Sequence, residues 1–450
     1  MSRLFRFGFF GLLACGSSAA TTLAVTLGGE SDTITRAPAV SSFVVQAVDR
    51  QGQAESLADG GWKSGSTIDL ADLSQTAVAS IQLTASESSG SAVVWGAVPF
   101  ATLGAFNGLT IPLFIQRKGD TARMPGSSED AAAPLLAASP RAIYVANDDR
   151  PLTAYDMLLL DAIGGTCPAA PAKSFALVVS PKPNTDGNSV MAWRISDDDA
   201  SVMGLSLQCT VGYEKFVNLD GGQSGSIAWG DFAGGQTVMG DDGSAYIVGP
   251  SRASSASGTI FKIAPDPDAS TLVNALITSI ALTPRKGAAT AWAPNRGVFI
   301  YGGSAASSSV GEVVSASGAV TEISTTLDGG VDTREGLAAI AFDSNKMLLA
   351  GDDQQPTLID LSCPGCATQN WGVATGVKLV SPALFALGNG AFLLIGDDTS
   401  GATHLFRLSD SASPEKPLKI ARHGARAIKF ETGQVVIIGG GNATPESYVD

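Results

Sequence analysis

The chain has 450 residues, 52 of them glycine and 22 proline; 44% are apolar, and 28 Lys plus Arg face 42 Asp plus Glu for a net charge of −14. That apolar fraction can build a sizeable core and excludes a disordered acidic tail, while glycine without a three-residue period excludes collagen. The acidic balance argues against a surface that neutralises phosphates, so no nucleic-acid partner is expected. With only two histidines, His404 and His423, the accessible enzyme chemistries are few. The length allows one large domain or two.

The N-terminus reads MSRLFRFGFFGLLAC. Arg3 and Arg6 form a positive region ahead of a short apolar stretch, Phe7 to Ala14. A bilayer-spanning helix needs about 20 residues, so this is a processing signal rather than a span. Leu12-Leu13-Ala14-Cys15 resembles the lipobox of bacterial lipoproteins. The resemblance implies a signal peptide over residues 1–14, diacylation of Cys15 and a lipidated tether over 15–21. Cys15 would then hold the chain to the lipid bilayer, a second fatty chain making the anchor stable. Gly16, where an inner-membrane retention signal would place Asp, implies the outer membrane, on its periplasmic or cell-surface face. The alternative is an ordinary secretory signal cut near Ala19-Ala20, which would leave the chain secreted.

Apart from Cys15, four cysteines remain, an even number suited to an exported chain: Cys167, Cys209, Cys363 and Cys366. Of three possible pairings, Cys167 with Cys209 and Cys363 with Cys366 is expected. The second pair lies in CPGC after Leu358-Ile359-Asp360-Leu361. No amphipathic helix follows to lower a thiol pKa, so a structural loop disulfide is expected over a thioredoxin-like redox site. No matching cysteine pair or nearby histidine completes a zinc site.

Residues 22–108 read as a β-rich region with strands at 22–27, 41–47, 77–83 and 92–95. Phe43, Val45 and Ala47 share one face of an alternating pattern, and Gly, Asp and Ser clusters separate the runs. A small β-sandwich is expected. No cysteine pair, metal cluster or aromatic platform marks this region, which is read as a spacer.

From 109 onward the chain repeats. Apolar strands run into glycine or acidic turns at anchors Asn147, Trp193, Gly240, Gly302, Gly351, Gly396 and Gly439, spaced 43 to 62 residues apart. Gly303 and Gly440 follow their anchors directly. Arg285, Arg334 and Arg422 each lie 17 residues before Gly302, Gly351 and Gly439, and Gly287, Gly336 and Gly424 stand two residues after those arginines. Units of about 45 residues with several strands and almost no helix cannot bury their faces alone, whereas radial stacking buries both; an all-β, seven-bladed β-propeller over 109–450 is predicted. The Arg-x-Gly start, the hydrophobic strand and the Gly-Gly close resemble kelch repeats. The resemblance is to kelch-repeat lipoproteins of bacteria, of the kind frequent in myxobacteria. Several units depart from the kelch pattern by carrying Asp for the second Gly and lacking a late Trp. Because the last unit ends nine residues after Gly441, Leu109 to Ile115 is expected to close the ring from the N-terminal side. Ser251 to Gly258 reads as a variable surface insert.

The chemistry-bearing residues point to architecture. Kelch-like copper oxidases hold the metal with two Tyr and two His. Here His404 and His423 fall at different repeat positions, and no tyrosine motif accompanies them. No G-x-S-x-G elbow is present. Asp pairs recur at 148/149, 241/242, 352/353 and 397/398, and recurrence at a strand end fits turn-capping, since aspartate accepts backbone N–H bonds there. Asp241, Asp242, Asp352, Asp353, Asp397 and Asp398 remain the candidate calcium ligands, with Asp197-Asp198-Asp199 as a further cluster, although none follows a spaced calcium loop. The repeated arginines are read as inter-blade salt-bridge and carbonyl-binding groups. No Walker-type loop or Rossmann context exists, so no nucleotide is expected. The expected partner is an envelope protein or a glycan, and the alternative function is a carbohydrate-active or other hydrolase using carboxylates in the propeller funnel.

Overall fold

The computed structural model describes residues 20–63, 67–147, 153–163, 174–179, 189–196, 200–206, 213–215, 236–241, 244–248, 258–265, 275–282, 285–305, 310–324, 326–327, 330–331 and 334–450. Cys15, Cys167, Cys209, Asp148, Asp149, the 197–199 cluster, Asp242 and residues 251–257 of the insert lie outside the described residues.

Nine strands begin the chain: β1 (Thr22–Leu27), β2 (Ser42–Val48), β3 (Ala54–Gly61), β4 (Thr67–Asp69), β5 (Val78–Ser86), β6 (Ala92–Ala97), β7 (Ala101–Thr102), β8 (Thr110–Arg117) and β9 (Thr121–Arg123). The first eight form one sheet in the order β3-β2-β5-β6-β8-β1-β4, with β7 beside β5. Alternation decides which face is buried. Ala79, Ile81, Leu83 and Ala85 of β5 point into a single core with Leu23, Val45, Val94, Ile111, Leu113 and Ile115. The expected sandwich is therefore a single near-closed, barrel-like sheet wrapped around one core, not two sheets face to face.

The strand expected to close the ring lies elsewhere. β8 pairs in parallel with β1 over Thr110–Ile115 and antiparallel with β6 at Gln116 and Arg117, so it is a strand of the barrel sheet. Pro112 stands opposite Ala24 in the parallel pairing, beyond the stretch where β6 reaches β8. The closing strand is β9, which pairs antiparallel with Glu446–Tyr448.

Beyond the barrel the described residues form six four-stranded antiparallel sheets, one three-stranded sheet and two short ribbons. The first strands of these sheets are Leu135–Ala138, Ser174–Val179, Gln236–Met239, Ala289–Ala293, Ala338–Ala341, Val380–Gly388 and Ala425–Lys429. Each lies against the first strand of the next sheet, except that the sixth sheet meets the seventh through its second strand, Ala391–Asp397; the seventh returns to the first, so the contacts form a ring.

The second strands explain why the repeat is so apolar. All five residues of Gly297–Tyr301 are buried. Val298 and Ile300 pack against the third sheet through Tyr246 and Val248, while Phe299 and Tyr301 pack against the fifth through Met347 and Leu349. The same division recurs where Leu348 faces the sixth sheet and where Val435 and Val436 face the sixth and first sheets respectively. Strands buried on both faces read as continuous hydrophobic runs.

One anchor is displaced. Gln236–Met239 is a first strand, partly exposed, and the second strand of its sheet is Ala245–Val248, fully buried. Gly240 belongs to the hairpin between them, donating its N–H to Ser244 O at 2.8 Å.

The barrel packs onto the seventh sheet through the outward face of β8. Phe114 joins Met124, Phe430 and Val436 in a shared core. Around it, Asp120 bridges Arg36 at 3.1 Å and Lys419 at 3.0 Å, and Arg123 pairs with Glu30 at 3.0 Å.

Candidate functional site

Three groups of polar side chains compete as the site: the repeat positions, the buried carboxylates, and the barrel mouth. The repeat positions are consumed by the ring. Gly287, Gly336 and Gly424 sit at positive φ just ahead of the first strands of their sheets. Gly336 donates its N–H to Gly287 O at 2.9 Å, and Ala133 donates to Gly424 O at 2.6 Å, so neighbouring sheets are tied at this level. Gly303 donates to Arg334 O at 2.8 Å. Gly302 and Gly439 require glycine: at φ +68° and +80°, a Cβ would lie 2.6 Å from Arg334 O and 2.3 Å from Ala131 O. Gly351, at positive φ, passes its carbonyl to Leu379 N at 2.7 Å, and Gly440 donates to Ala131 O at 2.8 Å. Gly396 lies inside its strand rather than after it.

The arginines bind carboxylates and carbonyls. Arg334 reaches Asp352 at 3.0 Å and Thr357 Oγ1 at 3.3 Å. Arg422 donates to Gly439 O at 2.6 Å, Asn442 O at 3.3 Å, Thr444 O and Glu446. Of Arg285 the backbone alone is described, pairing with Ala305.

The acidic pairs divide by role. Asp397 is buried and receives Thr403 Oγ1 at 2.7 Å, Gly424 N at 3.1 Å and Arg426 at 2.9 Å. Asp398 caps a turn, accepting Ser400 N at 2.8 Å and Ala402 N at 3.0 Å. The Ser400 hydroxyl, His404 and these N–H groups hold its carboxyl down at about 2. Asp352 likewise accepts Gln354 N at 3.3 Å, while Asp353 and Asp241 are exposed. Among the described residues no group of three or more His, Cys, Asp or Glu side chains is placed to hold a metal ion.

Two other buried carboxylates are also in the grip of arginine. Asp156 pairs with Arg141 at 2.7 Å and accepts Leu158 N at 2.8 Å; Glu446 pairs with Arg422 at 3.1 Å. The first strands of the seven sheets carry no Asp or Glu at all. His423 uses its backbone N–H to reach Gly440 O at 3.1 Å. His404 is held between Glu415 at 2.7 Å and Asp398 at 3.3 Å, over the Phe406 ring. Cys363 and Cys366 are joined by a disulfide, in a loop after Thr357–Asp360 whose Pro364 carbonyl accepts Ser324 N at 2.9 Å.

The barrel mouth differs in kind. Phe43 is the last inward-facing residue of β2 beyond Ala47 and Val45, and it meets Trp62 edge to face with ring centroids 5.9 Å apart. The backbone N–H of Trp62 donates to Ser41 O at 2.8 Å. With Ile68 of β4 these rings line a cavity of about 390 Å³, whose rim carries Asp59, Lys63 and Asp69. All three charged residues are exposed. The region read as a spacer thus holds an aromatic-walled pocket. The signal for it was a single large aromatic in a Gly-Gly-Trp-Lys-Ser-Gly run, where a loop needs none.

The fold is all-β and multi-sheet and resembles β-propeller architectures, with a barrel-like sheet ahead of the ring. Among solved structures, the chain is similar to YCF48 bound to D1 peptide, with TM-score 0.45 and 13% identity over 74% of this chain and 96% of that one. The WD40 β-propeller domain of Doa1 gives 0.43 and 9% over 73% and 97%. A structural-genomics protein of unknown function from Bacteroides thetaiotaomicron gives 0.40 and 15% over 90% of each chain. No family model matches the sequence, and no curated protein sequence does. At these identities the assignment rests on the strand pairing itself. Among the described residues no helix is long and apolar enough to cross a membrane.

Proposed function

We propose that the chain is an exported, lipid-anchored binding module: a seven-bladed, kelch-like propeller carrying a barrel-like domain, with an envelope protein or glycan as its partner. The blade count takes each sheet of the ring as one blade, the sixth having the lone bridge Phe406 to Glu415 in place of a fourth strand. The kelch identity draws on the Arg-x-Gly and Gly-Gly positions meeting between neighbouring sheets. Cys15 is the acylated anchor in the outer membrane, and the Cys363–Cys366 disulfide suits an oxidising compartment.

The observation that carries the binding reading is the contrast between rim and mouth. Polar groups at the repeat positions are spent on the ring, whereas the barrel mouth presents two aromatic rings beside three exposed charged residues. A hydrolase acting through funnel carboxylates finds no acidic residue on the first strands of the sheets, so the binding reading is preferred.

Fractionation of cells expressing the wild type and Cys15→Ser tests the anchor. The wild type is expected with the outer membrane and the variant in the soluble fraction; a soluble wild type overturns the lipoprotein assignment. Capture from solubilised envelope with the full Cys15→Ser chain tests the module. A partner retained reproducibly against a denatured control supports it, and none overturns it.

A further inference from the structure

We infer that the barrel is a clasp laid across the seam where the ring closes, so that barrel docking and ring closure are one coupled equilibrium. The inference goes beyond the binding-module reading and does not rest on it. The closing strand β9 offers only three residues to Glu446–Tyr448. Three residue pairs are at the short end for strands, and the outer edge of β9 would be left with unpaired backbone groups. The barrel covers that edge with the turn after β1. Gly29 donates its N–H to Arg123 O at 3.1 Å, and Arg123 returns its own N–H to the Glu30 carboxylate at 2.9 Å. The Arg123 guanidinium adds bonds to Glu30 at 3.0 Å and to Gly29 O at 2.6 Å. The turn comes this close because it lacks side chains: a Cβ on Gly28 would lie 1.7 Å from Arg123 O, and one on Gly29 2.2 Å from Arg123 Nε.

A clasp must grip both sides of a seam, and the barrel does. Phe114 of β8 stands outside the barrel's own core, in a cluster with Phe430 and Val436 of the seventh sheet and Ile143 and Tyr155 of the first. In exchange, Leu158, from the turn after Thr153–Asp156 in the first sheet, packs against the barrel core. Arg50, in the turn between β2 and β3, pairs with Glu431 of the seventh sheet. That ion pair is partly exposed and orients the barrel more than it stabilises it. The apolar exchange carries the coupling. Lifting the barrel takes Phe114 out of the core between the first and seventh sheets and leaves a cavity there, while Leu158 is returned to water. It also strips the outer edge of β9. Barrel and seam therefore open together.

Hydrogen exchange of the full Cys15→Ser chain, read by mass spectrometry, tests the coupling. The seam is reported by the amides of Gly119 and Met124, which bond Val449 O at 2.7 Å and Pro445 O at 2.8 Å rather than any barrel residue. Ile81→Ala loosens the barrel from within, since Ile81 is fully buried in its core on β5, between β2 and β6. In this variant the amides of β5 and of the seam are expected to exchange at least tenfold faster, by similar factors. Those of Gly297–Tyr301 and Lys346–Ala350, in the fourth and fifth sheets, should stay within about twofold of their rates without the substitution. Gly28→Ala, which drives the turn off Arg123, should likewise speed the seam at least tenfold. A loosened barrel with unchanged seam amides in Ile81→Ala means that the barrel opens alone, and overturns the proposal. Equal acceleration of the fourth and fifth sheets, which is unfolding of the whole chain, overturns it too, as does an unaccelerated seam in Gly28→Ala.

Discussion

Arg422 and Glu446 form an ion pair of 3.1 Å in which neither side chain is exposed, at the seam where the ring closes. Glu446 lies on the strand that receives β9, in register with Arg123. The pair is more than two charges. Glu446 also accepts Lys419 N at 2.7 Å and Ile420 N at 3.1 Å, and Arg422 satisfies the carbonyls of Gly439, Asn442 and Thr444.

Removing one partner should therefore be severe. Glu446→Gln leaves a buried guanidinium without its counter-charge, and an expected loss of about 3–5 kcal/mol follows. A simple buried pair can often be replaced by apolar residues at little cost. Here Arg422→Met with Glu446→Leu should not recover stability, because at least five backbone groups lose their partners. Urea denaturation of both single variants and the double variant gives the coupling; a double variant as stable as the wild type refutes the assignment.

The closing strand is the second point of weakness. Met124 donates to Pro445 O at 2.8 Å, so two residues back the Ala122 N–H faces Ser447 across the ladder. Ala122→Pro removes that donor from a three-residue strand and should cost roughly 2–3 kcal/mol. It should also expose Glu446–Tyr448 as an edge and promote self-association, visible by size-exclusion chromatography. A monodisperse variant with an unchanged urea midpoint would show that the ring does not depend on β9.

What was legible in the sequence follows from burial. β1 was predicted with its observed bounds, Thr22–Leu27, and Val298–Tyr301 or Val435–Ile438 announced themselves because strands buried on both faces have no polar interruptions. Gln236–Met239 deceived because its run ends in Gly-Asp-Asp, imitating the close of a second strand, while the truly buried Ala245–Val248 stood nine residues on. β9 could not be found by periodicity: Thr-Ala-Arg is too short to carry a pattern, and Leu109 to Ile115, long and apolar, runs instead into β8 beside β1 in the barrel sheet. The mouth pocket escaped because it arises where β3 and β4 fail to pair, which no local pattern encodes.

His404 offers a pH-dependent readout of the sixth sheet. Partial burial lowers its pKa, but the hydrogen bonds to Glu415 and Asp398 outweigh that and raise it above the ordinary 6.5. A histidine whose folded pKa exceeds its unfolded value stabilises the fold fully below about pH 6.5 and loses that contribution as pH rises through the folded pKa. The thermal midpoint of the wild type should therefore drop, relative to His404→Gln, on going from pH 6 to pH 8. The variant keeps a side chain able to hydrogen-bond but carries no charge to lose, so its profile across this window should be flatter. The Asp398 carboxylate, at about 2, remains charged throughout and does not confuse the comparison. Direct titration of the His404 imidazole by NMR provides the check: a midpoint at or below 6.5, or parallel stability profiles for wild type and variant, would remove the basis for this coupling.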